Sequence, residues 1–276
     1  MIKLFVTDLD GTILNKDHQL DSRIESRIDR ILEAGCSFVI ATGRDQYSIP
    51  QGFLQRDIYR ICLNGALVFS ADEQIIHSRP LTTETVRQLF EAIPDALFDC
   101  MTLEHKLTSL SCDELMERML TSSTWKNHLT PELARTFIKG YRFEVGKDEI
   151  VNHTVYKINC RGMNPDQLNR LDAFLQQHSN EIVNAPSYPG FIELTHAQAN
   201  KGNAVKVLAD KLGLSREEVA VYGDGMNDAS MLTSFPHSYV PCNAPKQVQS
   251  LASEVIGHSE EYAVSEHMIF TLENKR

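Results

Sequence analysis

The chain has 276 residues, 42% of them hydrophobic and 23% charged, and a net charge of −10. That is a globular composition with room for one large or two ordinary domains, and it excludes a disordered or fibrous chain. The acidic balance speaks against non-specific DNA or RNA binding, which needs a basic face. It leaves small phosphorylated ligands open, because a bound cation can make a site locally positive.

The first apolar run, Ile2 to Thr7, reads as a buried strand. It runs straight into "DLDGT", Asp8 to Thr12. In the stretch "DSRIESRIDRILEAG", Ile24, Ile28, Ile31 and Leu32 recur at helical spacing and Gly35 is a stop signal. "SFVIATGR" is a second strand ending in Thr42-Gly43-Arg44, and "RICLNGALVF" is a third run broken by a turn at Asn64-Gly65. Alternating strands and helices predict a doubly wound, Rossmann-like parallel sheet.

From residue 82 to 187 the pattern changes. Helical pieces ("TTETVRQLFEAI", "NPDQLNRLDAFLQQH") mix with strand-like ones ("ALFDCM", "TVYKINCR", "NEIVNA"), and no strand ends in the earlier polar signatures. We expect an inserted α/β domain here. The first pattern then returns with "KGNAVKVLADKLGL", "VAVYGDGMNDASML" and "SYVPCNAP". The sheet domain is therefore expected to be discontinuous, 1–81 with 188–276.

In such sheets ligands bind beyond the carboxyl ends of the strands. The polar residues that should converge are Asp8 and Asp10, then Thr42, Gly43 and Arg44, then Asn64, then Asp224, Asn227 and Asp228, with Lys201 opening the preceding helix. Together they suit Mg²⁺-assisted phosphoryl transfer. Asp8 and Asp224 can offer the metal hard carboxylate oxygens. Thr42 can donate to phosphate and Lys201 can neutralise it. Backbone N–H groups at Leu9 and Gly43 can add to this. In an extended segment Asp8 and Asp10 would point the same way, about 6–7 Å apart. One carboxylate can then attack phosphorus, and the other, kept partly protonated by its neighbours, can act as general acid and base. Gly11 permits an unusual backbone angle beside them. Each motif alone is weak; their ordered placement at successive strand ends is not.

On these motifs, "DLDGT", "ATGR", "NGA", "NKG", "GDGMND" and "CNAP", the sequence resembles the haloacid dehalogenase superfamily of phosphohydrolases, in particular the Cof-like branch with a large α/β cap. The resemblance covers the core and says little of the cap. It implies Asp8 as nucleophile and metal ligand, and Asp10 as acid/base with its backbone carbonyl on Mg²⁺. It implies Asp224 as acidic metal ligand, and Leu9, Thr42, Gly43, Lys201 and Asn227 around the phosphate. Asp228 would orient Lys201 or a metal-bound water, and Arg44 and Asn64 would lie near the entrance as candidate substrate contacts. The implied activity is Mg²⁺-dependent hydrolysis of small phosphate monoesters, sugar phosphates first. Nucleotides, flavin mononucleotide and pyridoxal phosphate stay open. So do a phosphomutase or phosphotransferase of the phosphomannomutase type and a non-catalytic phosphometabolite sensor.

In the cap, His105, Lys106, Arg142, Glu144, His153, Lys157, Asn159 and Arg161 are candidate leaving-group contacts. Alternation puts Val155, Lys157, Asn159 and Arg161 on one polar face, which either looks to the active site or is solvated. Trp125 reads as packing. Six cysteines with no C-x-x-C pair are expected to be free thiols. No run reaches the roughly 18 apolar residues of a membrane span, and Asp8 and Asp10 stand where a secretion signal needs its apolar core. The expectation is a cytoplasmic protein without nucleic-acid or membrane partners.

Overall fold

The computed structural model describes residues 1–121, 130–131, 134–135, 138–187 and 190–274; Trp125 lies outside them. Its strands are β1 (Leu4–Thr7), β2 (Ser37–Ala41), β3 (Tyr59–Cys62), β4 (Leu67–Phe69), β5 (Ile75–Ser78), β6 (Leu97–Met101), β7 (Lys106–Thr108), β8 (Tyr141–Arg142), β9 (Lys157–Arg161), β10 (Ile182–Asn184), β11 (Ile192–His196), β12 (Val219–Tyr222), β13 (His237–Pro241) and β14 (Glu254–Ile256). The chain divides into two compact units, Met1–Arg79 with Gln198–Arg276, and Pro80–Ala197.

The first unit is built on one eight-stranded sheet of order β14-β13-β12-β1-β2-β3-β4-β5. The six strands from β14 to β3 run parallel. β4 then runs against them and β5 turns back again, since β3–β4 and β4–β5 both pair antiparallel. The Asn64-Gly65 turn is short enough to reverse the chain, so the third apolar run makes a hairpin edge on an otherwise parallel sheet. β1 is wholly buried, as a strand covered on both faces must be. It lies between its chain successor β2 and the distant β12, so the strand order reverses there. That reversal opens a crevice at the carboxyl ends of β1, β2 and β12.

The helices follow their sequence signals. Asp21 caps Ser22–Glu33 by accepting from the Arg23 and Ile24 amides, and Ile24, Ile28 and Ile31 make its buried stripe. Asn200 caps Lys201–Leu212, which ends on left-handed Gly213.

The second unit has a six-stranded sheet of order β10-β11-β9-β6-β7-β8. β11, which the sequence pattern assigns to the returning sheet domain, pairs with β9 and β10 and so belongs to this second sheet. Phe98, Cys100, Ile158, Cys160 and Leu194 face an apolar core shared with the helices Thr83–Ala92 and Pro165–Gln177. The opposite face carries Asp99, Lys157, Asn159, Arg161 and Glu193. It is not a solvated face: Lys157 is 3% exposed and pairs with Glu193 at 2.7 Å, and Arg161 pairs with buried Asp99. Val155, expected beside them, lies in the apolar core because the strand begins only at Lys157.

All six cysteines are free. Among the described residues no helix is long and apolar enough to cross a membrane.

Candidate active site

The carboxyl ends of the parallel strands bring most of the expected residues together. β1 stops at Thr7, and Asp8 follows at φ −66° and ψ 165°. Residues Leu9–Ile13 then form a wide helical turn that Gly11 interrupts at φ 78°. A Cβ on Gly11 would stand 2.4 Å from Asp224 Oδ2, so glycine supplies both the backbone angle and the close approach. The turn also corrects the extended geometry expected of the Asp-x-Asp pair. Asp8 and Asp10 feel each other's charge, but each has its own cation, Lys201 for Asp8 and Arg44 for Asp10.

Asp8, 7% exposed, accepts a hydrogen bond from Lys201 Nζ at 2.5 Å. Lys201 is the first residue of its helix, fully buried, and its ammonium also donates to Asp228 Oδ1 at 2.6 Å. The helix start is held by Gly202 N–H donating to Ser230 Oγ at 2.9 Å. Asp228 uses its other oxygen, Oδ2, to accept from the backbone N–H groups of Asp224 and Gly225, each at 2.9 Å. It therefore shapes the loop after β12 and fixes Lys201 at once. Asp224 accepts from the Thr12 hydroxyl at 2.6 Å. One oxygen each from Asp8, Asp224 and Asp228 lies within 4.8 Å of the others.

These contacts set the charges. Burial pushes the Asp8 carboxyl well above its usual range; Lys201 opposes this, and Asp228, Asp224 and Asp10 add to it. Burial and the charge of Asp228 push Asp224 up to about 7, against the Thr12 hydrogen bond. Lys201 loses solvation, but Asp228 and Asp8 outweigh that loss and hold its pKa above that of an ordinary lysine. The pocket thus gathers three carboxyl groups around one ammonium, and they resist ionising together unless a further cation joins them.

Asp10 behaves otherwise. Arg44 grips both its oxygens, Nε to Oδ2 at 2.8 Å and Nη2 to Oδ1 at 2.5 Å, and spends Nη1 on the Ser48 carbonyl at 3.0 Å. His18 Nδ1 stands 3.3 Å from Asp10 Oδ1. Burial works against the charge, yet the hydrogen bonds from His18 and Arg44 prevail and hold Asp10 at about 2. The sequence leads one to expect a partly protonated Asp10; here its charged form is favoured instead, because hydrogen bonds from His18 and Arg44 and the Arg44 charge stabilise it.

The remaining residues lie around this group. Thr42, 1% exposed, follows β2; its hydroxyl accepts from the Arg44 N–H at 3.1 Å. Gly43 makes the bend between them, and Leu9 is buried in the turn after Asp8. Asn64 Oδ1 accepts from Asn227 Nδ2 at 3.1 Å. Arg44 and Asn64, read as candidate substrate contacts, are thus tied to other candidate site residues. Two participants were not read from sequence. Thr12 lies inside the quoted "DLDGT" motif and could have been found there, whereas His18 in "NKDHQL" carries no local signal.

A family model described as haloacid dehalogenase-like hydrolase matches residues 5–268. The chain belongs to that family. Relatives called HMP-PP phosphatase, from Escherichia fergusonii and Escherichia coli K12, are each 28% identical, over 99% of this chain and 97% of their own. A haloacid dehalogenase-like hydrolase from Bacillus subtilis superposes with a TM-score of 0.81 at 22% identity, covering 100% of both chains. The HAD subclass IIB sugar phosphatase BT4131 gives 0.78 at 20% identity, covering 98% of this chain and 99% of its own. These structural likenesses speak for a common fold, a haloacid dehalogenase core with a cap. The protein is accordingly a haloacid dehalogenase-like hydrolase.

Proposed function

We propose that the protein is a Mg²⁺-dependent phosphatase of small phosphorylated metabolites that works through an aspartyl phosphate on Asp8. The observation that carries this reading is the placement of Asp8, buried at the carboxyl end of the central strand, between Lys201 and Asp224. A carboxylate so held can attack phosphorus, and the ester P–O bond breaks as the leaving oxygen takes a proton from Asp10. Water then attacks the aspartyl phosphate and gives a proton back to Asp10, and orthophosphate departs. Lys201, Thr42 and Asn227, with the Leu9 and Gly43 N–H groups, would hold the phosphoryl oxygens. Held by Arg44 and His18, Asp10 is a carboxylate, so for the acid step it must first leave that grip and take up a proton from solvent, which it then gives to the leaving oxygen.

The donor set fits Mg²⁺. It is all oxygen, and Mg²⁺ takes one or two carboxylates together with substrate oxygens and water. Among the described residues, Asp8 and Asp224 each hydrogen-bond through one oxygen and keep the other for a metal. Both oxygens of Asp228 are committed, so it is a support for Lys201 rather than a ligand. Mg²⁺ bound there would neutralise charge developing on the phosphoryl group. The six free thiols support a cytoplasmic setting.

Stability gives a readout of the metal that does not depend on turnover. Asp224, raised to about 7, and Asp8, also raised, keep protons that the unfolded chain releases near pH 4. The folded state therefore binds more protons between about pH 4 and 7, and metal-free stability should fall as pH rises through that window. Asp10, lowered to about 2, acts only below it. Mg²⁺ should raise the melting temperature more at pH 8 than at pH 5. No gain at pH 8 would refute a metal held by Asp224.

The substrate follows from a panel of phosphate esters that includes p-nitrophenyl phosphate, assayed for phosphate release with Mg²⁺ and with chelator. Sugar phosphates are the class the sequence resemblance favours. HMP-PP enters as a second reading because the full-length relatives carry it in their names. Chelator-sensitive release supports the proposal, and the ranking names the substrate class. Conversion of a hexose 1-phosphate into an isomer without free phosphate would make the protein a mutase instead.

A further inference from the structure

The turn after β3 is the most unusual stretch of backbone in the first unit. Leu63, Asn64 and Gly65 stand at φ 52°, 57° and 101°, three left-handed residues in a row. Bulky Leu63 has no intrinsic reason to be there, and both it and Asn64 are buried. Such geometry persists only where the surroundings over-determine it, and it gathers at functional sites.

The surroundings here are the groups proposed to hold phosphate. The Asn64 N–H donates to the Thr42 carbonyl at 3.0 Å, and the Leu63 N–H donates to the Arg44 carbonyl at 3.0 Å. A Cβ on Gly65 would come within 2.4 Å of the Asn200 carbonyl, the residue that caps the Lys201 helix. The Asn64 side chain crosses to the loop after β12 and accepts from Asn227 Nδ2 at 3.1 Å.

That last bond decides which face Asn227 presents. A side-chain amide has a donor end and an acceptor end of nearly the same shape. Only the donor end can serve a phosphate oxygen; the acceptor end would repel it. Asn64 Oδ1 takes one of the two Nδ2 hydrogens, which keeps the donor end on its side of the site and leaves the second hydrogen to be offered to a ligand. The left-handed turn is what brings that oxygen into range.

We propose that Asn64 is a positioning residue, not a substrate contact: it fixes the Asn227 amide with its N–H toward the phosphoryl group. The inference rests on the reading of Asn227 as a phosphate-holding residue.

A double-mutant cycle tests it. Asn64→Gly keeps the left-handed backbone and removes the acceptor. Together with Asn227→Ala and the double variant, it is assayed for p-nitrophenyl phosphate turnover with Mg²⁺ and for inhibition by inorganic phosphate. We expect kcat/KM to fall about tenfold in either single variant, with weaker inhibition by phosphate. The double variant should match Asn227→Ala alone, because residues that act through one interaction are not additive. Losses that multiply to about a hundredfold would overturn the proposal and show that Asn64 acts on substrate or fold by its own route. If Asn64→Gly does not fold, Asn64→Ser, too short to reach the Asn227 amide, takes its place under the same criteria. A wild type that turns over panel esters while the cycle is additive sinks this inference alone. A wild type that releases phosphate from none of them overturns the phosphatase reading, and this inference with it.

Discussion

Asp8→Asn is expected to lower phosphate release by at least about a thousandfold while leaving the protein folded and no less stable. The loss follows from chemistry: an amide oxygen cannot form the acyl phosphate, and removal of a nucleophile is among the costliest single changes an enzyme can suffer. The stability follows from the site's electrostatics. Asp8 is buried against Asp224, Asp228 and Asp10, and burial already disfavours its charge. The amide keeps an acceptor for Lys201, which retains Asp228 as its charged partner. Melting should therefore stay level or rise by a few degrees, about 2–4 °C per kcal/mol relieved at this chain length. Undiminished turnover in a folded Asp8→Asn protein would end the covalent mechanism.

That the nucleophile candidate could be named from sequence has a physical reason. A buried parallel strand is a short apolar run, and the first polar residue after it marks the carboxyl edge where ligands bind. Asp8, Thr42 and Asp224 each stand at such a point, so a one-dimensional signal carries a three-dimensional position. The helix that begins at Lys201 announces itself through its Asn200 cap. What stayed hidden depends on pairs far apart in the chain. Nothing local says that Arg44 would close on Asp10, 34 residues earlier, or that Asn64 would meet Asn227, 163 residues later. His18 reaches Asp10 from the loop after the Asp8 turn, where its backbone is left-handed at φ 55°. The hairpin of β4 and β5 escaped because a short apolar run reads alike in parallel and antiparallel strands. β11 was misplaced for a similar reason. "FIELTH" directly precedes the Lys201 motif, and its pairing with β9 is set by residues more than 30 positions away.

Lys201→Met should do what Asp8→Asn does not, and damage activity and stability together. Lys201 is fully buried and bridges Asp8 at 2.5 Å and Asp228 at 2.6 Å. Methionine has a similar length and fills the same space, so the change removes charge rather than volume. Three neighbouring carboxylates are then left without the cation that balances them. Breaking a buried ion pair from one side costs about 3–5 kcal/mol, or about 6–20 °C of melting temperature for a chain of this size. The carboxylates can escape part of this by taking up protons, so the deficit should deepen as pH rises. Mg²⁺ should restore part of the melting temperature, because a divalent cation also neutralises Asp8 and Asp224. It should not restore turnover, since it does not replace the ammonium proposed to donate to the phosphoryl oxygens. Melting curves with and without Mg²⁺, beside phosphate release, separate the two roles. A variant that melts like the wild type would refute the charge balance argued for the pocket. One that melts early but turns over normally would remove Lys201 from the phosphate site and leave it a structural counter-ion to Asp228.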